Sequence, residues 1–201
     1  MPIFYIVVLL YSVTIHEVSH GLMANSLGDS TAKNLGRLTL NPIKHLDLFG
    51  SVILPLTMFL LTGFAFGYAK PVPYNPLNLS DKRYGPVKVA LAGPLSNIIL
   101  ALLFGLILRF IPGTIPSPLV SELFSRIVLL NLVLAVFNMF PIPPLDGHWL
   151  LMAFLPEKFN SLKIYVYRNS YILFPLFLIL FMLFISPVIF WLFRLITGMN
   201  V

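Results

Sequence analysis

Long apolar runs alternate along the chain with short polar, proline-rich stretches. Residues 2–24, 87–110, 120–140 and 170–197 are each apolar over the roughly 20 residues a helix needs to cross a bilayer. Pro175 and Pro187 predict kinks in the last of them. A further apolar run at 48–67, "LFGSVILPLTMFLLTGFAFG", is interrupted by Pro55, Gly63 and Gly67, and is expected to be re-entrant or partly embedded. Between the runs lie "GDSTAKNLGRLTLNPIKHLD" and "YAKPVPYNPLNLSDKRYGP". "GRLTLNP" is strand-like with turn residues around it, a candidate small β-hairpin at the membrane edge. The pattern predicts an all-α polytopic membrane protein of about four full spans. It forms one membrane-embedded domain over residues 1–201, with a membrane-associated loop region at 25–86 and no repeat or appended soluble module.

Composition sharpens this reading. Of the 201 residues 58% are hydrophobic and 10% charged, with a mean hydropathy of +0.93, against about 25% charged in soluble domains. The lipid bilayer is therefore a partner. The net charge of +6 reads as loops facing anionic lipid. The basic residues do not interleave with aromatics on a polar surface, so no nucleic-acid partner is expected. The absence of cysteine excludes disulfides and thiolate ligands. The N-terminus lacks a basic n-region and an A-x-A-like site, so the first run is expected to be kept as a span.

Inside that first run stands "TIHEVSHG". Ionisable groups at membrane depth are costly and need a partner or a function. His16 and His20 are four apart, on one face of a helix and one turn from each other. That spacing lets two imidazoles reach one ion, with Glu17 placed as general base, the HExxH pattern of zinc hydrolases. A catalytic zinc takes three protein ligands and leaves one position open. Candidates for the third ligand are Asp47, Glu122, Asp146, His45 and His148. Asp146 is favoured, because the prolines and glycine of "NMFPIPPLDGHW" open the backbone just after a span, as is tolerated where backbone lines a cavity. Its competing role is to cap the helix that begins at "GHWLLMAF". His45 and Asp47 read as turn residues, and His148 as a loop residue.

"HEVSH" together with "NMFPIPPLDG" resembles the site-2 protease family of intramembrane zinc metalloproteases. The second motif is complete as Asn138, Pro141, Pro143, Leu145, Asp146 and Gly147, and "AGPLSN" resembles the family's G-P-x-x-N element through Gly93, Pro94 and Asn97. Where many relatives have a small residue after the LDG, this chain has His148. The resemblance implies Zn2+ as cofactor and peptide-bond hydrolysis within or near the membrane segment of single-span proteins already trimmed by another protease. It also supports Asn138, an amide eight residues before Asp146, in substrate binding or at the oxyanion. Asn97 is a second candidate for substrate binding.

The two motifs must meet at one depth, so their spans must run parallel. They do so if 48–67 turns back without crossing. Lys33, Arg37, Lys44, Lys70, Lys82, Arg83, Lys88, Lys158, Lys163 and Arg168 then share one face, ten of the thirteen basic residues. The positive-inside rule makes that face cytosolic. The expectation is a multi-pass protein of a bacterial or archaeal cell membrane whose active site opens toward the cytosol. A metal transporter would line a path with several polar groups rather than gather them in one place. An inactive scaffold is opposed by the full set of catalytic residue types.

Overall fold

The computed structural model describes residues 2–63, 67–111 and 117–199. Helix α1 covers Pro2–Ser26 and is followed by one turn, α2, at Thr31–Asn34. A wide π-helical turn at Leu48–Ile53 runs into α3, Leu54–Thr62. Then come α4 (Gly85–Phe110), α5 (Pro118–Asn138), α6 (Gly147–Phe154), α7 (Asn160–Arg168), α8 (Ser170–Phe184) and α9 (Ser186–Thr197).

Three helices, α1, α4 and α5, are long and apolar enough to cross a membrane. Proline stands at the start of each. Pro86 and Pro118 stand in the first turns of α4 and α5, where a missing N–H costs no helix bond. Ser117 caps α5 by accepting from Val120 N. Large apolar side chains such as Ile99 and Leu183, 64% and 67% exposed, point away from the protein, as an apolar solvent permits. The predicted run 170–197 is divided at Ile185 into α8 and α9, and α7 meets α8 at 78°. Pro187 lies in the first turn of α9, so the break falls there. Pro175 stays inside an unbroken α8.

Helix α4 is the centre of the bundle and packs against α1, α5, α6 and α9. Hydrogen bonds fix the directions. His16 reaches Asn97 and His20 reaches Val89, so α1 and α4 run antiparallel. Ser12 meets Asn131, while His16 and His20 meet Asp146, so α1 and α5 run parallel as the motifs require. Between α4, α5 and α9 lies a core of Ala101, Leu108, Val128, Leu132, Ile189 and Phe193. An aromatic cluster of Phe137, Phe140, Phe177 and Phe181 holds α8 against the end of α5.

The interrupted run at 48–67 leaves and returns at one place. Tyr68 N donates to Gly50 O at 2.9 Å and Ser51 Oγ to Tyr68 O at 2.9 Å. A Cβ on Gly50 would lie 2.4 Å from the Tyr68 ring, and one on Gly67 2.7 Å from Gly50 O. These two glycines let the outgoing and returning limbs touch. The helical limb, 48–62, measures at most about 22 Å at 1.5 Å per residue, short of the roughly 30 Å hydrocarbon layer. Residues 64–66 of the run lie outside the described residues. The strand-like "GRLTLNP" carries no strand, and none occurs among the described residues. Local side chains satisfy its backbone instead: His45 Nε2 donates to Thr39 O, and Thr39 Oγ1 accepts from Asn41 N.

Candidate metal centre

His16 and His20 lie on the buried face of α1, one turn apart. Their Nδ1 atoms each sit 2.7 Å from an oxygen, Asn97 Oδ1 for His16 and the Val89 carbonyl for His20. Those oxygens only accept, so both Nδ1 atoms carry a proton, and in the neutral imidazoles that bind a metal both Nε2 atoms present a lone pair. The two Nε2 atoms are 3.0 Å apart, and neither has a hydrogen to give the other. Asp146 completes a triangle, with Oδ2 3.2 Å from His16 Nε2 and Oδ1 3.4 Å from His20 Nε2. Ligands about 2.0 Å from a tetrahedral ion stand about 3.3 Å from one another. The triangle has the size of one tetrahedral face.

Two further observations fit a cation here. Asp146 Oδ2 is buried with no hydrogen-bond partner. Gly93 faces the imidazoles so closely that a Cβ would lie 2.4 Å from His20 Nε2 and 2.6 Å from His16 Nε2. The backbone of α4 thus forms one wall of the cradle, and Pro94 removes a helix hydrogen bond in the same turn. Asp146 stands at the start of α6, yet its side chain makes no cap bond there and turns to the histidines instead. Gly147 is fixed by crowding, since a Cβ would lie 2.1 Å from Met139 O. His16, His20 and Asp146 are the one group of three potential metal ligands among the described residues.

Glu17 is half-buried, and its Oε2 accepts from Val72 N at 2.8 Å. The donor lies in a strap, residues 70–78, that crosses the end of α1. Pro71 and Pro73 flank Val72 and have no N–H, so this stretch offers the carboxylate one backbone donor. The strap is fastened on both sides: Lys70 N donates to His45 O, Arg37 donates to Lys70 O, and Asn75 N and Asn78 Nδ2 donate to Asp29. Tyr74 packs beside Val89, and its buried hydroxyl has no hydrogen-bond partner. Burial and the neighbouring Asp146 carboxylate push its pKa up to about 12, so it stays protonated.

The other expected site residues separate. Asn97 is fully buried and its amide is spent, with Oδ1 on His16 and Nδ2 on Asn131 Oδ1 and Ser12 O. Its oxygen faces the candidate ligand His16. Asn138 donates to Leu134 O in its own helix. His45 is buried in the loop and Asp47 caps the π-helical turn through Gly50 N. His148 Nδ1 lies 2.6 Å from Leu145 O, one turn back, and Glu122 pairs with Arg126. Sequence reasoning missed Ser12 and Asn131. The signal for Asn131 was present, a lone amide in the run "IVLLNLVLAV", where burial in lipid or protein demands a partner.

Comparison with known proteins agrees with this geometry. The model of peptidase family M50 matches residues 4–120 and 114–183. Two of the relatives that carry the name "Putative zinc metalloprotease" illustrate the likeness. YwhC of Bacillus subtilis (strain 168) is 42% identical over 162 residues, 78% of this chain and 70% of its own. Rip2 of Mycolicibacterium smegmatis is 34% identical over 158 residues, 76% of this chain and 58% of its own. "Zinc metalloprotease MJ0392" of Methanocaldococcus jannaschii is 31% identical over 94 residues, 46% of this chain and 27% of its own. No solved structure matches the chain.

Proposed function

The chain belongs to peptidase family M50, and from that premise we propose that it is an intramembrane protease acting on single-span membrane proteins. It is a zinc metalloprotease and an integral membrane protein. The observation that carries the reading is the triangle of His16 Nε2, His20 Nε2 and Asp146, with edges of 3.0 to 3.4 Å, beside the half-buried Glu17.

His16, His20 and Asp146 hold the zinc. When bound, zinc lowers the pKa of water from about 15.7 to about 7 and polarises the scissile carbonyl. Glu17 takes the proton of the attacking water and later delivers it to the leaving amine. Val72 N–H holds one oxygen of that carboxylate, which fixes its orientation. Asn138 gives one amide N–H to Leu134 O and offers the other to the developing oxyanion. On this proposal α1, α4, α5 and the α8–α9 pair make four crossings, 48–67 is re-entrant, and the site opens toward the cytosol of a prokaryotic cell. The touching limbs of that segment and the placement of ten of the thirteen basic residues on one face support this topology.

Elemental analysis of wild type and Asp146→Ala tests the metal centre without a known substrate. The expected result is one zinc per wild-type chain, lost or much weakened in the variant. Cleavage of a model single-span substrate should follow in wild type and fail in Glu17→Gln, which keeps its zinc. Wild type that holds no zinc after chelator-free purification, or that binds zinc and leaves every such substrate intact, overturns the reading.

A further inference from the structure

Two buried polar side chains at mid-membrane depth are unused by this chemistry. Asn131 on α5 is fully buried and Ser12 on α1 is 4% exposed. They connect to the metal ligands through an ordered series of hydrogen bonds. Asn131 Nδ2 donates to Ile127 O at 2.9 Å and to Ser12 Oγ at 3.0 Å. Asn131 Oδ1 accepts from Asn97 Nδ2 at 2.9 Å. Asn97 Oδ1 then accepts from His16 Nδ1 at 2.7 Å.

The direction of this series matters more than its length. A carboxamide has an accepting end and a donating end of nearly the same shape. With Asn97 turned over, its NH2 would face His16 Nδ1, which would then have to give up its proton. The proton would move to Nε2, and the lone pair that binds a metal would be gone. Ile127 O is a backbone carbonyl and can only accept, so it fixes which end of Asn131 points toward it. That choice fixes Asn97, and Asn97 fixes His16. A second, longer bond from Asn97 Nδ2 to Ser12 O, at 3.4 Å, acts in the same sense.

We propose that Asn131, with Ser12, is a positioning residue of the metal centre: it sets the orientation of the Asn97 amide and thereby holds His16 in its metal-binding tautomer. The inference rests on His16 being a zinc ligand. Partners outside the first ligand shell are typically worth 10–100-fold in metal affinity.

The test is zinc affinity by chelator competition, with 15N-histidine NMR of the metal-free protein as a readout independent of activity. Asn97→Ala should weaken zinc 10–100-fold, and Asn131→Leu about tenfold. In Asn131→Leu the His16 resonances should show a mixture of tautomers in place of one. Asn131→Asp serves as rescue, because an aspartate at that depth is neutral. Its O–H can donate to Ile127 O while the other oxygen accepts from Asn97, so zinc affinity should return to near wild type. Should Asn131→Leu fail to fold, the proposal stands or falls on Asn131→Asp beside Ser12→Ala. The first should keep one His16 tautomer, and the second should weaken zinc severalfold. Wild-type affinity and a single tautomer in Asn131→Leu, or in Ser12→Ala when that is the variant available, overturn the inference and leave the metal centre in place. A wild-type protein that binds no zinc overturns both.

Discussion

Gly93 shows how little room the site leaves. Its missing side chain is the space in which the two imidazole Nε2 atoms stand, 2.4 and 2.6 Å from where a Cβ would be. Gly93→Ala should therefore cut zinc affinity at least tenfold. Displacing two buried imidazoles costs about 1–3 kcal/mol, more than alanine's helix propensity of about 1 kcal/mol returns, so the metal-free variant should unfold at a somewhat lower temperature than wild type but still fold. Lost metal with retained fold, read by elemental analysis and circular dichroism, is the expected pair of results. Retained zinc would mean that the imidazoles do not converge there. The convergence of His16, His20 and Asp146 was legible in the sequence, because few residue types bind zinc and these stood where ionisable groups are costly. Asn97 was legible as a buried amide, but its bond to His16 was not, because it depends on which end of the amide faces the ring. Gly93 was quoted as part of a motif, yet its reason is a contact between helices that spacing alone cannot reveal.

At the scale of elements, hydropathy located the three long apolar helices to within a few residues, because each is apolar along nearly its whole length. The strap at 70–78 was not legible. Its form comes from bonds between residues far apart in sequence, Val72 to Glu17 and Asn75 to Asp29, and not from local propensity. The hairpin expected at "GRLTLNP" failed for the opposite reason, as nearby side chains took its backbone groups first. Asp29 ties the strap to the end of α1. Burial alone would raise its carboxyl pKa, but hydrogen bonds from Thr31, Asn78 and Asn75 outweigh burial and hold it below the usual value. A carboxyl lowered in the folded state stabilises above its unfolded pKa of about 3.9, and that stabilisation is lost as pH falls through the lowered folded value. Asp29→Asn should therefore be less stable than wild type at pH 7, with the gap closing below about pH 4. Thermal unfolding of both proteins across pH 3 to 7 measures it, and a gap independent of pH would assign the strap's hold to something other than this charge.

For the whole molecule, topology is testable with unusual clarity because the chain contains no cysteine. Single cysteines at Lys82 and Lys158 should react with a membrane-impermeant thiol reagent only from the cytosolic side, and one at Ile3 only from the other. Labelling of Ile3 and Lys82 from the same side would contradict the parallel course of α1 and α5. The parity of the spans was legible beforehand because two motifs had to meet. The division of the last run at Ile185 was not, since both Pro175 and Pro187 offered a break and only packing against α4 and α5 separates them. Ser12, His16 and His20 recur at every fourth position on one face of α1, and each is bonded to or faces α4 or the α5–α6 segment. Turning α1 about its axis by a single residue step, about 100°, would withdraw all three together. Mechanically, these bonds couple α1 to α4 and to the α5–α6 segment, so that a rotation of α1 against them would break them together. Under the proposed function, the movement that admits an extended peptide is then expected in α8–α9, which carries none of these bonds.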